Sequence, residues 1–206
     1  MIKALIISED FWHPTKVIAD GLKPLEDECA FTYELAADNF EDYDVVVIAK
    51  GDRVSKENEA KFMTDEYLAK LRAYIENGGS LLLLHAGTLT QRSPALADIM
   101  GGISPGHPSP AEWMIKYGPI AGHVISEGME PFTINDECYF MELTKDDITV
   151  FCDNTSDCGN FPAGFTRPLG KGRVCAFTPG HCVPVWENPI MTEYMRRIFR
   201  WCAGRL

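Results

Sequence analysis

The sequence predicts an α/β protein whose mostly parallel sheet is doubly wound, with helices on both faces and a short antiparallel extension. The run of four leucines at 81–84 is too short for a helix and is typical of an inner parallel strand buried on both faces. Such apolar runs alternate with helical segments in the first half of the chain, as in β-α-β units. After Gly102 short strands separated by Pro and Gly turns take over, which indicates an antiparallel extension of the sheet edge.

The first half of the chain supplies the parallel strands. Apolar or alternating runs predict strands at 2–7, 31–35, 44–49 and 81–84. A helix is expected over 15–25, because Val17, Ile18, Leu22 and Leu25 share one face. Asp65 is expected to cap a second helix that runs to Glu76 and stops at Asn77-Gly78.

The second half supplies the extension and closes the sheet. Short strands are expected at 112–117, 132–134, 137–143 and 148–152. A hairpin over 161–167 and 173–178 precedes a closing amphipathic helix at 190–202. No linker-like stretch interrupts the chain, so we expect a single domain over 1–206.

The amino-acid composition limits the classes of partner that the chain can bind. The formal charge of -11 argues against nucleic acid and against an anionic membrane surface, because both need basic patches. No apolar run is long enough to span a membrane or to form a signal-peptide core. The seven cysteines form no C-x-x-C pair and are odd in number, so we expect reduced thiols in a cytoplasmic protein. A small molecule is the expected partner, and homo-oligomer formation is left open.

Three histidines follow predicted strands. His13 lies beyond the first strand, His85 directly follows the leucine strand, and His181 follows the last strand. Ligands of open α/β sheets bind beyond the carboxyl ends of the strands, so these side chains are expected to face one crevice. With a carboxylate they would form a catalytic zinc-type site with one open position; the candidates are Glu9, Asp10, Asp136 and Glu137. The alternative is that each imidazole is solvated or bonded to backbone.

Other side chains are candidates for the same crevice. In a strand, Glu137 and Tyr139 would share a face, as a general base or ligand and its hydrogen-bonding partner. Trp12 and Trp186 flank the histidines, and aromatic faces suit sugar C–H surfaces, although core packing is the alternative. Cys182 follows His181 and is a weak candidate for a nucleophile, because adjacent residues rarely point together.

Several functions are excluded by missing residues. The loop at 9–14 lacks the hydroxyl and glycine residues of a flavodoxin phosphate loop. A receiver domain needs an aspartate after the third strand, where this chain has Ala49-Lys50. No dinucleotide-binding, Walker or G-x-S-x-G motif occurs.

Four segments together resemble the ThuA-like trehalose-utilisation family, whose three-layer, flavodoxin-like fold is similar to class I glutamine amidotransferases. They are the loop ending in His13, the Gly-Gly-x-Leu-x-x-Leu-His-x-Gly segment at 78–87, the Gly122-His123-x-Ile125-x-x-Gly128 turn with Asp136-Glu137-x-Tyr139, and Gly170-Lys171-Gly172-Arg173-Val174 leading to Gly180-His181. The resemblance implies a role in sugar or disaccharide catabolism. Glutaminase chemistry is not expected, because His85, not cysteine, begins the turn after the leucine strand.

These observations lead to a set of expected site residues. We expect His85, Glu137, His181 and Tyr139 to be catalytic. Substrate binding is expected from Trp12, His13, Lys50 and Trp186. A divalent metal such as zinc would be held by His13, His85, Glu137 and His181. His123 is expected to fix a loop, and His107 to lie in a lid. The function is expected to be hydrolysis or isomerisation of a carbohydrate derivative; the alternative is a non-catalytic carbohydrate-binding or structural relative.

Overall fold

Nine strands form one large sheet and two short strands form another in the computed structural model of the chain, which describes residues 1–206. The strands are β1 (Ile2–Ile7), β2 (Cys29–Glu34), β3 (Val45–Ile48), β4 (Ser80–Leu84), β5 (Gly102–Gly106), β6 (Glu112–Pro119), β7 (Phe132–Glu137), β8 (Phe140–Leu143), β9 (Thr149–Ser156), β10 (Gly159–Leu169) and β11 (Gly172–Phe177). The helices are α1 (Thr15–Leu22), α2 (Asp65–Glu76), α3 (Pro94–Met100), α4 (Val183–Glu187) and α5 (Pro189–Cys202).

The large sheet is parallel on one side and antiparallel on the other. Its strand order is β2-β1-β3-β4-β11-β10-β9-β6-β7. The first five strands pair in parallel, and the remaining pairings are antiparallel. β5 pairs with β8 in the small antiparallel sheet. The predicted α/β class is therefore confirmed, with a mixed sheet in which four pairings are parallel and four antiparallel, and the leucine strand lies inside the sheet between β3 and β11.

Two apolar cores lie against opposite faces of this sheet. Leu82 and Leu84 of β4 pack into the core that contains residues of α1, α4 and α5. Leu81 and Leu83 belong to the core that contains residues of α2 and α3. All four leucine side chains are completely buried. Burial of each stabilises the fold by about 1.5–3 kcal/mol, which explains why positions 81–84 are all apolar.

The structure corrects several predicted boundaries. α1 ends at Leu22 and continues as a 3-10 turn whose second residue is Pro24, which cannot donate a backbone hydrogen bond. α2 is capped by Thr64, whose side chain accepts the Tyr67 N–H, and Asp65 is its first residue. The strand expected over 137–143 is broken, since β7 ends at Glu137. The short elements β5, α3 and α4 were not predicted.

The cysteines also differ from expectation. Cys138 and Cys158 form a disulfide, so the prediction of reduced thiols is wrong for this pair. The other five are free, and Cys29, Cys152, Cys175 and Cys202 are buried as small apolar side chains. None of the five helices combines the length and apolar character that a membrane span requires.

Candidate functional site

Three histidines and one glutamate meet beyond the carboxyl ends of the parallel strands. His13 follows β1, His85 begins directly after β4, His181 follows β11, and Glu137 is the last residue of β7. One nitrogen of each imidazole and one oxygen of the carboxylate all lie within 4.8 Å of one another. The structure thus brings together the four residues that the sequence suggested as metal ligands.

His85 is fixed by the turn that follows β4. Its backbone has a φ of +48°, a left-handed conformation that is uncommon outside glycine and is often found at functional sites. The turn lies so close to β3 that a Cβ on Gly87 would be 1.9 Å from the carbonyl oxygen of Ile48. The buried imidazole donates its Nδ1–H to the Thr178 carbonyl at 2.9 Å, which leaves Nε2 without a hydrogen in the neutral ring.

His13 is held by the carboxylate of Asp10. The His13 Nδ1–H donates to Asp10 Oδ1 at 2.8 Å, and Asp10 also accepts backbone N–H groups of Trp12 and Gly51. Burial would raise the pKa of Asp10, but the bond to His13, its charge and the backbone donors lower it to about 2. Burial lowers the pKa of His13 against the opposing effect of Asp10. His13 Nε2 is buried and has no hydrogen-bond partner.

His181 is held by a second buried carboxylate. Asp136 is completely buried, and its Oδ1 accepts the His181 backbone N–H at 2.9 Å. Its Oδ2 accepts the Gly180 N–H and the Tyr117 hydroxyl, each at 2.9 Å. The His181 loop is therefore fixed to β6 and β7, which carry Tyr117 and Asp136. His181 Nδ1 lies 3.3 Å from His85 Nε2.

Glu137 and Tyr139 complete the cluster although the strand between them is interrupted. Glu137 Oε2 lies 3.4 Å from both His85 Nε2 and His181 Nδ1. Burial alone would raise the pKa of Glu137, but the contact with His85 and the charges of the histidines lower it to about 2. Burial would lower the pKa of His85, but the contact with Glu137, the charges of Asp136 and Glu137 and the bond to Thr178 together raise it. Tyr139 stacks on His85, with ring centroids 4.7 Å apart and its hydroxyl 3.3 Å from Nε2.

The donor set fits a divalent metal ion. The Nε2 atoms of His13 and His85 have free lone pairs, because both Nδ1–H groups are used by the protein. Ligands about 2.0–2.1 Å from a tetrahedral zinc ion lie about 3.3–3.4 Å apart. The three separations among His85, His181 and Glu137 are 3.3, 3.4 and 3.4 Å. His13 Nε2 supplies a fourth donor within 4.8 Å of the others.

The cluster opens onto a cavity of about 440 Å³, a size typical of small-molecule sites. Four expected residues line it, namely Trp12, His13, Glu137 and Tyr139. Trp12 is 63% exposed and contacts Phe11 edge-on. His107, the expected lid residue, also lines the cavity and stacks on Tyr139. Residues that were not predicted as substrate contacts line the rest, including Asp10, Asp52, Arg53, Gln91 and Arg92.

Two residues expected to bind substrate do not line this cavity. Lys50 is completely buried and donates to backbone carbonyls, including that of Val54 at 3.0 Å. Burial lowers its pKa to about 8, and its ammonium lies over the ring of Phe62. Trp186 is buried and donates to the Gly180 carbonyl at 2.9 Å. Neither side chain reaches this cavity, because each is bonded to the backbone of a loop beside the site.

Two other candidates lie outside the chemistry of the cluster. Burial raises the pKa of the Cys182 thiol to about 12, which disfavours the thiolate that a nucleophile needs. His123 Nε2 pairs with the Thr166 hydroxyl at 2.9 Å, and its Nδ1 accepts the Ile125 N–H. His123 therefore fixes its own turn, as expected from the sequence.

Asp10 and Asp136 are expected from the sequence only as candidate ligands, so their supporting roles were missed, and Arg53 and Arg92 were missed altogether. Asp10 and His13 are three positions apart, and Asp136 is next to Glu137, so both supporting carboxylates were within reach of motif analysis. Arg53 and Arg92 lie in separate loops with no motif, and only the fold brings them to the cavity.

Comparison with known proteins gives one family. The ThuA family model, described as trehalose utilisation, matches residues 14–202. A protein from Parabacteroides merdae described as ThuA-like has a TM-score of 0.75 at 17% identity, with 100% of this chain and 91% of that chain covered. A similarly described protein from Bacteroides uniformis has a TM-score of 0.73 at 15% identity, with 98% and 91% covered.

A cytoplasmic protein from Salmonella typhimurium LT2 is also similar, with a TM-score of 0.65 at 17% identity and 99% and 98% of the two chains covered. At these identities the likeness shows the fold alone. No curated protein matches the sequence.

Proposed function

The chain belongs to the ThuA family of trehalose utilisation, and we propose that it is a metal-assisted acid/base enzyme acting on a carbohydrate derivative in sugar or disaccharide catabolism. One observation carries the proposal. Three imidazole nitrogens and one carboxylate oxygen converge on a single point at the wall of the cavity. Because the turn after β4 begins with His85 and contains no cysteine, the proposal excludes glutaminase activity.

The surroundings of the cluster favour a metal site over a chance grouping. Asp10 fixes the tautomer of His13, and the Thr178 carbonyl fixes that of His85, which is the support that metal-ligating histidines receive. The buried Nε2 of His13 has no partner, and a buried nitrogen of this kind is destabilising unless something binds it. A metal ion at the centre of the cluster would satisfy it.

The proposed chemistry divides between the ion and the chain. A divalent ion such as zinc, when bound, supplies a Lewis acid that polarises a substrate oxygen. Burial raises the pKa of Tyr139 well above its ordinary value, so its phenol stays protonated and donates a hydrogen bond at neutral pH. Trp12 offers an exposed apolar face for sugar C–H groups at the cavity rim. The reaction classes that fit are hydrolysis and isomerisation.

The proposal also covers the domain organisation of the chain and the place of the enzyme in the cell. The family match over 14–202 supports one functional unit over residues 1–206. Two structural relatives from Salmonella typhimurium are described as cytoplasmic, which supports a cytoplasmic location.

Elemental analysis of the purified protein tests the metal. We expect about one divalent ion per chain in the wild type and a large loss in the His181→Ala and Glu137→Gln variants. The melting temperature of metal-free His181→Ala should stay close to that of the metal-free wild type, because His181 is partly exposed and contributes little to the core. His123→Ala is the matched control, since this histidine lies outside the cluster, and it should retain the ion.

Turnover of a panel of unmodified and oxidised disaccharides tests the enzyme. We expect turnover of at least one member, and its loss in His181→Ala. A wild-type protein that takes up no metal and turns over nothing in the panel contradicts the proposal. That result would favour the alternative of a non-catalytic carbohydrate-binding or structural relative.

A further inference from the structure

One wall of the cavity carries two arginines, in a chain with a formal charge of -11. Arg53 lies in the segment after β3, and Arg92 in the segment between β4 and α3. His13 and Glu137 of the candidate metal cluster line the same cavity, as does Tyr139. The cavity therefore joins the candidate metal site to a group of positive charges.

Arg92 is unusual among the nine arginines of the chain. Seven of them pair with a carboxylate, and the two exceptions are Arg92 and Arg173. Arg173 lies over the ring of Trp201 and donates to its carbonyl. Arg92 alone combines an unpaired charge with a position in the cavity. In a protein with 30 acidic residues, an arginine left without a carboxylate is a candidate receptor for an anion from outside.

The Arg92 guanidinium is held in place with donors to spare. Its Nη1 donates to the backbone carbonyls of Asp52 at 2.9 Å and Glu59 at 3.3 Å. Nη2 and Nε make no hydrogen bond within the protein. A guanidinium presents five N–H donors in a rigid fork, so an anchored Nη1 leaves the rest for bidentate contact with an oxyanion.

Arg53 lies beside it. The Arg53 Nη1 donates to the Glu59 carboxylate at 2.6 Å, so both guanidinium groups contact the same residue. The Glu59 side chain is 76% exposed, and solvent therefore weakens its hold on Arg53.

Three carboxylates line the same cavity. Asp10 is bound to His13, and Glu137 lies in the metal cluster. Asp52 is buried; its Oδ1 accepts the Met63 N–H at 2.9 Å, and its Oδ2 has no hydrogen-bond partner. None of the three pairs with Arg92.

We propose that the cavity binds a sugar derivative carrying an oxyanion, either a carboxylate or a phosphate, and that Arg92 is its principal receptor with Arg53 in support. This rests on the proposed function, because it names the substrate class of the same site. The sugar would lie between the arginine wall and the cluster of His13, His85, Glu137 and His181.

Calorimetric titration with gluconate, glucose 6-phosphate and glucose tests the proposal. We expect at least one anion to bind the wild type at least about tenfold more tightly than glucose, the effect of one charge-assisted hydrogen bond. Arg92→Gln should remove this preference, while Arg53→Gln should reduce it less. A preference for gluconate alone identifies a carboxylate ligand, and a preference for glucose 6-phosphate alone identifies a phosphate ligand.

Arg205→Gln is the control for loss of one positive charge, because Arg205 lies in the exposed carboxyl-terminal segment and does not line the cavity. It should keep the full preference. Arg92→Lys keeps the charge without the fork and should retain part of the preference; it also replaces Arg92→Gln if that variant does not fold.

Each titration is run on metal-free and on zinc-loaded protein, which separates this inference from the metal proposal. A preference for anions in a protein that binds no metal would refute the metal site of the proposed function and leave this inference standing. A metal-binding protein that treats glucose and both anions equally would overturn the inference, as would a preference that survives in Arg92→Gln. Failure of all three ligands to bind the wild type would also overturn it.

Discussion

Two buried carboxylates organise the site at the scale of single residues, although neither is among the four clustered donors. Asp10 fixes the ring of His13, and Asp136 fixes the backbone that carries His181. In the sequence Asp10 directly follows Glu9, and Asp136 directly precedes Glu137. The sequence alone therefore does not show which member of each acidic pair has the supporting role. The structure separates them, because supporting carboxylates accept several backbone N–H groups and Glu137 Oε2 faces two imidazoles.

The Asp10→Asn variant tests whether the Asp10 carboxylate strengthens metal binding by His13. Asparagine retains an oxygen for the His13 Nδ1–H but loses the charge that makes the His13 ring a stronger ligand. We expect zinc affinity to fall by about 10–100-fold, the usual effect of losing an outer-shell partner. Competition with a chromogenic chelator measures the affinity. Asp20→Asn, an exposed change on α1, is the control, and equal affinity in both variants would show that Asp10 has no such role.

Single elements explain how much of the fold and site the sequence could predict. β1, β3 and β4 were predictable because burial on both faces favours apolar side chains at nearly every position, with Lys3 and Ser80 as the only polar residues. The meeting of His13, His85 and His181 was predictable because each follows a predicted strand, and the carboxyl ends of parallel strands lie at one edge of the sheet. Glu137 belongs to β7, at the far end of the strand order, and no local pattern shows that it returns to β4.

The differences between the predicted and the observed structure have equally local causes. Lys50 follows β3 as a site residue would, but its ammonium finds three backbone carbonyls, which a sequence does not reveal. Trp186 lies near His181 in sequence, yet α4 turns its indole towards Gly180 and Gly21. The helices α3 and α4 have only seven and five residues, too few for a clear apolar period.

The turn after β4 gives a prediction at the scale of one element. A methyl group on Gly87 would overlap the Ile48 carbonyl oxygen, which is backbone of an inner strand and cannot move aside easily. We expect Gly87→Ala to lower the free energy of unfolding by about 1–3 kcal/mol, the usual range for overpacking. Urea denaturation measures it. Gly51→Ala is the control, because a Cβ there meets only Asp10 at an ordinary 3.4 Å; similar losses in both variants would contradict the steric explanation.

At the scale of the whole molecule, the site joins the two halves of the large sheet. The three histidines follow strands of the parallel half, and Glu137 comes from the antiparallel half. An ion bound by all four would cross-link elements that are distant in the strand order. It would also bind the folded chain in preference to the unfolded one, because only the fold assembles the ligands.

Metal binding should therefore stabilise the entire protein. At a free zinc concentration about 100 times the dissociation constant, preferential binding adds about 2.7 kcal/mol to the free energy of unfolding. For a chain of this length that corresponds to a rise in melting temperature of about 5–10 °C, which differential scanning calorimetry would detect. His123→Ala should respond like the wild type, whereas Glu137→Gln should respond much less. An equal rise in Glu137→Gln would mean that zinc binds elsewhere, and the link between the two halves of the sheet would not depend on this cluster.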